Sequence, residues 1–325
     1  MSTNPTTSEG SPLRVGIAGY GLAGAVFHAP LIEAVDGLEV AAVMTRSPER
    51  AEQARRAHPG ARVVDAVDEL LDGIDLLVVA TPNSTHVPLA LAGLDRGAAV
   101  VVDKPIAVTS ADARRLLDAG GRLTVFQNRR WDGDYLTVKR LLADGELGEV
   151  FRFESRFERF RPEVDHEKWR ELADAAEGGG LLLDLGTHLV DQAVELFGPP
   201  VGVYGELAAR RPGAVVEDDV FIALRHEGDV RSHLWMSATA ALPGPRFRVL
   251  GLRAGFTSQG LDPQEQQLRD GMRPGDPGFG QAPGLEPGRY ADFYAGVRDW
   301  LRGEAAPPVD PADAVRVLEI LETLK

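Results

Sequence analysis

Cysteine is absent from the 325-residue chain, which excludes disulfides, thiolate nucleophiles and zinc–cysteine sites and suits a reducing compartment. Positive charge is scarce: 35 Lys and Arg stand against 49 Asp and Glu, a formal net charge of −14. A nucleic-acid surface is therefore not expected without a strong basic patch, and the doublets Arg55-Arg56 and Arg129-Arg130 do not make one. No apolar run approaches the length needed to span a bilayer. The segment 1–12, rich in Ser, Thr, Asn and Pro, lacks the basic and apolar regions of a secretory signal and reads as a loose tail. The chain is expected to be cytoplasmic, with no membrane partner. Its apolar content is ordinary, and its length allows two domains with substantial cores.

The first third alternates short apolar runs with helical patterns. Leu13–Ala18, Leu38–Thr45, Asp75–Thr81, Ala98–Asp103 and Leu123–Gln127 read as buried strands; Ala25–Val35, Pro48–His58, Ser84–Asp95 and Ser110–Asp118 read as helices. This alternation predicts a doubly wound parallel sheet with helices on both faces, over residues 13–128. From 129 onward the texture changes. Glu149–Phe160, Val201–Arg211, Asp218–His226, Val230–Ala240 and Arg246–Leu252 are longer and alternate polar with apolar, Phe151, Phe153, Ser155 and Phe157 sharing one face. They predict an α+β domain, 129–325, with a large, mostly antiparallel open sheet. Ser258–Arg289, dense in Gly and Pro, reads as a long loop, a lid or interface arm. Tyr290–Arg302 and Pro311–Leu324 close the chain as helices, the last one able to pack back on the first domain.

Gly19-x-Gly21-x-x-Gly24 follows the first strand and opens a helix. In that context Gly19 permits the tight turn, Gly21 admits the pyrophosphate of a dinucleotide and Gly24 lets helix and strand approach, with the phosphates on the N–H groups at the helix start, Leu22 and Ala23. The second strand ends in Met44-Thr45-Arg46-Ser47, where an NAD site usually has an acid for the ribose. Thr45 and Arg46 suit the 2′-phosphate of NADP; Glu49 is a rival ribose ligand that would favour NAD. Thr81, Pro82, Asn83 and His86 follow the fourth strand at the ligand edge, although His86 equally suits a capping role.

Lys104 lies just past the fifth strand, between Asp103 and Pro105. There it can donate to a substrate oxygen and shuttle a proton. Downstream, Gly178-Gly179-Gly180 leads into a helical stretch, Leu181–Phe197, in which Asp184, His188 and Asp191 share a face. Imidazole is matched to take a hydroxyl proton near neutral pH, whereas Asp191 equally suits a bond to a neighbour. Without cysteine or a second nearby histidine, a metal site is not expected. Asn128 could touch the nicotinamide or sugar, and Arg129 and Arg130 could hold substrate or link the domains. Arg159-Phe160-Arg161-Pro162 and Trp169 form another cluster, suited to binding or to the core.

These segments resemble the glucose–fructose oxidoreductase/inositol dehydrogenase family over nearly the whole chain after the tail. They are Gly19–Ile32 (GYGLAGAVFHAPLI), Asp103-Lys104-Pro105, Asn128–Asp132 (NRRWD), Arg159–Val164 (RFRPEV) and Asp184–His188 (DLGTH). Within the family they are most similar to NADP-dependent scyllo-inositol dehydrogenases. The resemblance implies a Rossmann domain and a second domain whose sheet forms a subunit interface, in a dimer or tetramer. It implies hydride transfer between nicotinamide and a ring carbon bearing a hydroxyl of a polyol such as an inositol. Lys104 would polarise the oxygen, His188 take the proton and Asp184 orient substrate, with Arg129, Trp131 and Arg161 as substrate contacts and Asp103 beside the cofactor. Three positions depart from the family pattern: Asp103 for Glu, Gln127 for His and Phe160 for Tyr. Competing readings are a dehydrogenase for another sugar and a non-catalytic dinucleotide sensor, which would not need Lys104, Asp184 and His188.

Overall fold

A computed structural model describes residues 11–164 and 178–325, built on two six-stranded sheets. The first comprises β1 (Leu13–Ala18), β2 (Leu38–Met44), β3 (Arg62–Val64), β4 (Leu76–Val79), β5 (Ala99–Asp103) and β6 (Leu123–Phe126). Its order is β3-β2-β1-β4-β5-β6 and every pair is parallel. Helices cover both faces, so the strands are apolar almost throughout: Val15, Ile17, Leu76–Val79 and Val100–Val102 have no exposed surface. Strand β3 and the helix Val67–Leu71 after it escape a reading by periodicity, being only three and five residues long.

The second sheet comprises β7 (Val150–Glu158), β8 (Pro200–Ala208), β9 (Asp219–His226), β10 (Arg231–Ser237), β11 (Phe247–Gly251) and β12 (Gly255–Ser258). Its order is β12-β11-β7-β10-β9-β8, antiparallel except for β7 beside β10. Phe153, Ser155 and Phe157 face inward as the alternation predicts, but Phe151 is exposed and Val150 is buried in its place. A bulge in β7 causes this: Leu250 pairs with Arg152 and the next residue, Gly251, with Val150, so Phe151 is the extra, unpaired residue and the alternation inverts at it.

The stretch 181–197 is two helices. Leu181–Asp184 ends at Leu185 and Gly186–Phe197 begins anew, so Asp184 and Asp191 no longer lie along one continuous face. A helix not anticipated from the sequence, Gly133–Ala143, follows β6. The Gly/Pro-rich arm contains the helix Gln264–Arg269 and is tied down. Asp262 accepts from Gly133 N at 2.7 Å, Gln264 donates to the Trp131 carbonyl, and Tyr290 N donates to Gln264. Phe293, Tyr294 and Val297 of the helix Ala291–Leu301 fill the first core. The last helix, Pro311–Glu322, divides its apolar residues between both cores, Val315 and Leu318 facing one, Val317 and Leu321 the other.

Candidate active site

Strand β1 delivers Gly19-Tyr20-Gly21 to the carboxyl edge of the parallel sheet beside β4, where the strand order reverses. Doubly wound sheets bind ligands in that crevice. Gly19 has φ 93°, and a Cβ there would lie 2.6 Å from the Ala80 carbonyl oxygen, so glycine is required. A Cβ on Gly24 would lie 2.0 Å from the Gly19 carbonyl oxygen. Gly21 differs: the nearest atom to its added Cβ would be Arg50 Nη1, at 3.7 Å. The protein thus leaves the backbone face of Gly21 open at the start of a helix, a cradle that fits a pyrophosphate. Tyr20 points inward to anchor the loop. Its hydroxyl lies 2.7 Å from His58 Nε2, and His58 Nδ1 lies 2.6 Å from Glu33; burial, then the Glu33 charge, pushes Tyr20 up to about 12.

At the end of β2 a cavity of about 350 Å³ is lined by Thr45, Arg46, Ser47, Arg55, Asp65 and Glu69, among others. Three guanidiniums, those of Arg46, Arg50 and Arg55, flank the path from this cavity to Gly21. Glu49 is exposed and is not part of the lining.

The other end of the crevice carries titratable chemistry. Lys104 follows β5 and precedes a cis peptide bond to Pro105. Its Nζ donates to the Asp184 carboxylate at 3.0 Å and to the Asp184 carbonyl at 2.8 Å, joining the end of β5 to the helix Leu181–Asp184 across 80 residues of chain. His188 lies in the first turn of the next helix, 4% exposed, with Nδ1 unpartnered among the described residues. Burial first, then the charges of Lys104, Arg129 and Arg246, hold its pKa well below the usual histidine range. A neutral imidazole beside a cationic donor and a carboxylate is an arrangement for moving a proton to and from an alcohol. Asp103 accepts from Lys104 N at 2.9 Å and faces His28 Nε2 at 3.9 Å. Burial alone would raise it, but its contacts with His28 and Lys104 prevail and lower it.

The remaining predicted residues separate into those at the crevice and those held elsewhere. Thr81 and Pro82 line the turn after β4, Asn83 bonds the Gly178 carbonyl at 3.4 Å, and Asn128 follows β6. His86 is 1% exposed, its ring nitrogens 2.8 and 2.9 Å from the carbonyls of Pro105 and Thr81. It braces two loops and presents no surface to a cofactor. Arg129 is buried on Glu265, Asp132 and Tyr290, so its charge is spent inside the protein. Trp131 packs edge-on against Phe293 at 5.4 Å. Asp191 is bound by both arms of Arg130, at 2.7 and 2.8 Å, which explains its place on an apolar helix as structural. Arg161 is exposed beyond β7. Trp169 and the first ten residues of the tail lie outside the described residues.

Residues 13–125 match the oxidoreductase family with an NAD-binding Rossmann fold, and residues 135–257 match the GFO/IDH/MocA C-terminal domain. The chain belongs to the GFO/IDH/MocA oxidoreductase family. It is 42% identical to the oxidoreductase YdgJ of Escherichia coli (strain K12), over 95% of this chain and 94% of that one. It is 33% identical to the scyllo-inositol 2-dehydrogenase (NADP(+)) IolW of Bacillus subtilis (strain 168), over 95% and 92%. Among solved structures, the oxidoreductase yvaA of Bacillus subtilis superposes with TM-score 0.90 at 32% identity, covering 96% of this chain and 95% of that one. As a GFO/IDH/MocA oxidoreductase with an NAD-binding Rossmann fold, the chain takes a nicotinamide cofactor.

Several residues of the site were not evident in the sequence. Arg50 and Arg55 reach the cofactor crevice from a helix whose polar surface looks merely solvated; the four-residue spacing of Arg46 and Arg50 was the available signal. His28, inside the first helix, meets Tyr294 at 2.6 Å and Asp103 across the sheet edge. Arg159, singled out in the sequence only as part of a polar cluster, follows β7 within reach of the charges of Glu265 and Asp184.

Proposed function

We propose that the protein is an NADP-preferring dehydrogenase that moves a hydride between the nicotinamide and a secondary alcohol of a polyol or sugar, an inositol being the leading candidate. The observation that carries the reading is the Lys104–Asp184 contact beside buried, neutral His188, at the carboxyl edge shared with the open face of Gly21. When bound, the dinucleotide supplies or accepts the hydride. Gly21 and the helix start at Leu22 and Ala23 hold the pyrophosphate, and Thr45, Arg46, Ser47 and Arg50 hold the 2′-phosphate. Asn128 and Asp103 border the nicotinamide end. Lys104 Nζ donates to the alcohol oxygen and stabilises the charge that develops on it. The His188 imidazole takes the hydroxyl proton, and the Asp184 carboxylate fixes Lys104 and orients a neighbouring hydroxyl. IolW, a relative over almost the full length, is an NADP(+) scyllo-inositol dehydrogenase by name, which supports both the substrate class and the cofactor.

The test is nicotinamide absorbance during incubation with scyllo-inositol, myo-inositol and common aldoses, each with NADP and with NAD. Turnover with NADP preferred, lost in Lys104→Met and His188→Asn proteins that still bind cofactor, is the expected result. Cofactor binding without turnover of any polyol or sugar, neutral or anionic, would refute the reading. Self-association through the second sheet belongs to the same proposal. Its outer surface presents Tyr204, Phe221, His233 and Trp235, with Arg156 stacked 3.9 Å from the Trp235 ring. Light scattering is expected to show a dimer or tetramer.

A further inference from the structure

The reaction cleft carries positive charge that the described residues leave unneutralised. Beyond β7 the chain stays extended: Arg159 N donates to Ser237 O at 2.8 Å, Ala240 N to Arg159 O at 3.1 Å, and Arg161 N to Ala238 O at 2.7 Å. The two-residue period of a strand therefore continues. Phe157 is buried with its ring 6.3 Å from that of His188. Arg159, two residues on, falls on the same face, while Phe160, the residue after it, turns outward and is 57% exposed. Of the other cations, Lys104 has Asp184, Arg129 has Glu265 and Asp132, Arg211 has Asp218, and Arg246 donates to the neutral Ser155 and Gln192 side chains. Neither Arg159 nor Arg161 has a side-chain hydrogen bond or an ion pair among the described residues. Burial, then the charge of Arg161, lowers the Arg159 pKa against the opposing pull of Glu265 and Asp184, consistent with a guanidinium drawn into the cleft. Arginine is rarely withdrawn from water without an anionic partner.

We infer that the substrate supplies the missing anion: the alcohol oxidised here belongs to a molecule carrying a carboxylate or phosphate, which Arg159 and Arg161 clamp while its C–OH lies at Lys104, Asp184 and His188. This deepens the dehydrogenase reading above and rests on it. The planar donor fork of arginine matches either oxyanion. On a chain of net charge −14, an anionic substrate needs such a local counter-charge to approach at all. The anion takes no part in bond making. The carbinol C–H leaves as hydride to the oxidised nicotinamide, the O–H proton goes to His188, and C=O forms.

The experiment compares kcat/KM with NADP for matched substrates: glucose, glucose 6-phosphate and glucuronate; myo-inositol and an inositol monophosphate. One anionic member is expected to exceed its neutral partner by about 100-fold, the phosphate and carboxylate arms showing which oxyanion is used. Arg159→Met is expected to raise KM for the anionic member by about 10- to 100-fold and to shrink the anionic preference, with partial recovery in Arg159→Lys. Thermal unfolding of both variants checks that they are folded. A neutral polyol turned over as well as its anionic partner would overturn the inference while leaving the dehydrogenase reading intact. An equal loss on both members in Arg159→Met would overturn it too. If no alcohol is turned over, calorimetric titration of the NADPH-loaded protein with inorganic phosphate and glucuronate decides. Binding that Arg159→Met abolishes upholds the anion site and sinks the dehydrogenase reading; absence of binding sinks the anion site.

Discussion

Two glycines three residues apart, Gly21 and Gly24, should fail in opposite ways when given a methyl group. At Gly21 the added carbon meets no protein atom closer than 3.7 Å, and the residue does not occupy the left-handed region. Alanine there is expected to leave stability within about 0.5 kcal/mol of the parent, or to raise it by about 0.4–1 kcal/mol through a less flexible unfolded chain. The methyl instead enters the space in front of the helix start. There it separates a phosphate from the backbone N–H groups, and each charge-assisted hydrogen bond lost costs about 1.5–3 kcal/mol, roughly 10- to 150-fold in Kd. At Gly24 the carbon would lie 2.0 Å from the Gly19 carbonyl oxygen, so Gly24→Ala must push helix and strand apart and is expected to cost at least about 1–3 kcal/mol of stability. Fluorescence titration with NADPH and urea unfolding of both variants separate the two effects. Wild-type NADPH affinity in Gly21→Ala, or unfolding of Gly21→Ala as readily as Gly24→Ala, would refute the assignment of this face to the pyrophosphate.

Other expectations concern charge. Asp191→Asn weakens a buried bidentate pair, but Arg130 retains Asp313 at 3.1 Å and Glu195 at 3.6 Å, so a loss near the lower end of the range for broken buried pairs, about 3 kcal/mol, is expected by urea unfolding. KM for the alcohol should barely move, and a large fall in kcat without loss of stability would contradict the structural role. The folded-state pKa of His188 is depressed, so its stabilising share is present above the unfolded value of about 6.5 and is lost as pH falls below it, where the unfolded chain takes up a proton first. His188→Gln should flatten that acid slope of stability; an unchanged slope would show that the ring is not neutral in the fold. Arg46→Glu should raise KM for NADP by about 10- to 100-fold and leave NAD little affected, measured by initial rates with both cofactors.

Much of the site lies in short segments whose meaning is local, and these were legible in the chain. A glycine turn between an apolar strand and a helix has few other uses, and Asp103-Lys104-Pro105 at a strand end falls at the ligand edge of any parallel sheet. Less legible were features that arise from pairing. The inversion at Phe151 depends on how β7 bulges against Leu250 and Gly251 of β11, almost a hundred residues away. The break at Leu185 interrupts a stretch whose apolar pattern is continuous, and the arm 258–289 looks structureless by composition yet is pinned by Asp262 and Gln264 to the start of another helix.

The sequence by itself determined the two-domain texture, the dinucleotide loop and the residue types able to move a proton, because periodicity, turn chemistry and side-chain acidity are properties of neighbouring residues. Only the tertiary structure decided which charges are spent and which remain available. Lys104 meets Asp184, Arg130 takes Asp191, Arg129 is consumed by Glu265, and Arg159 has no ion pair among the described residues. Neutralisation of a charge depends on which group lies within a few ångströms of it, and that distance is set by how the two sheets and the last two helices pack, not by any spacing along the chain.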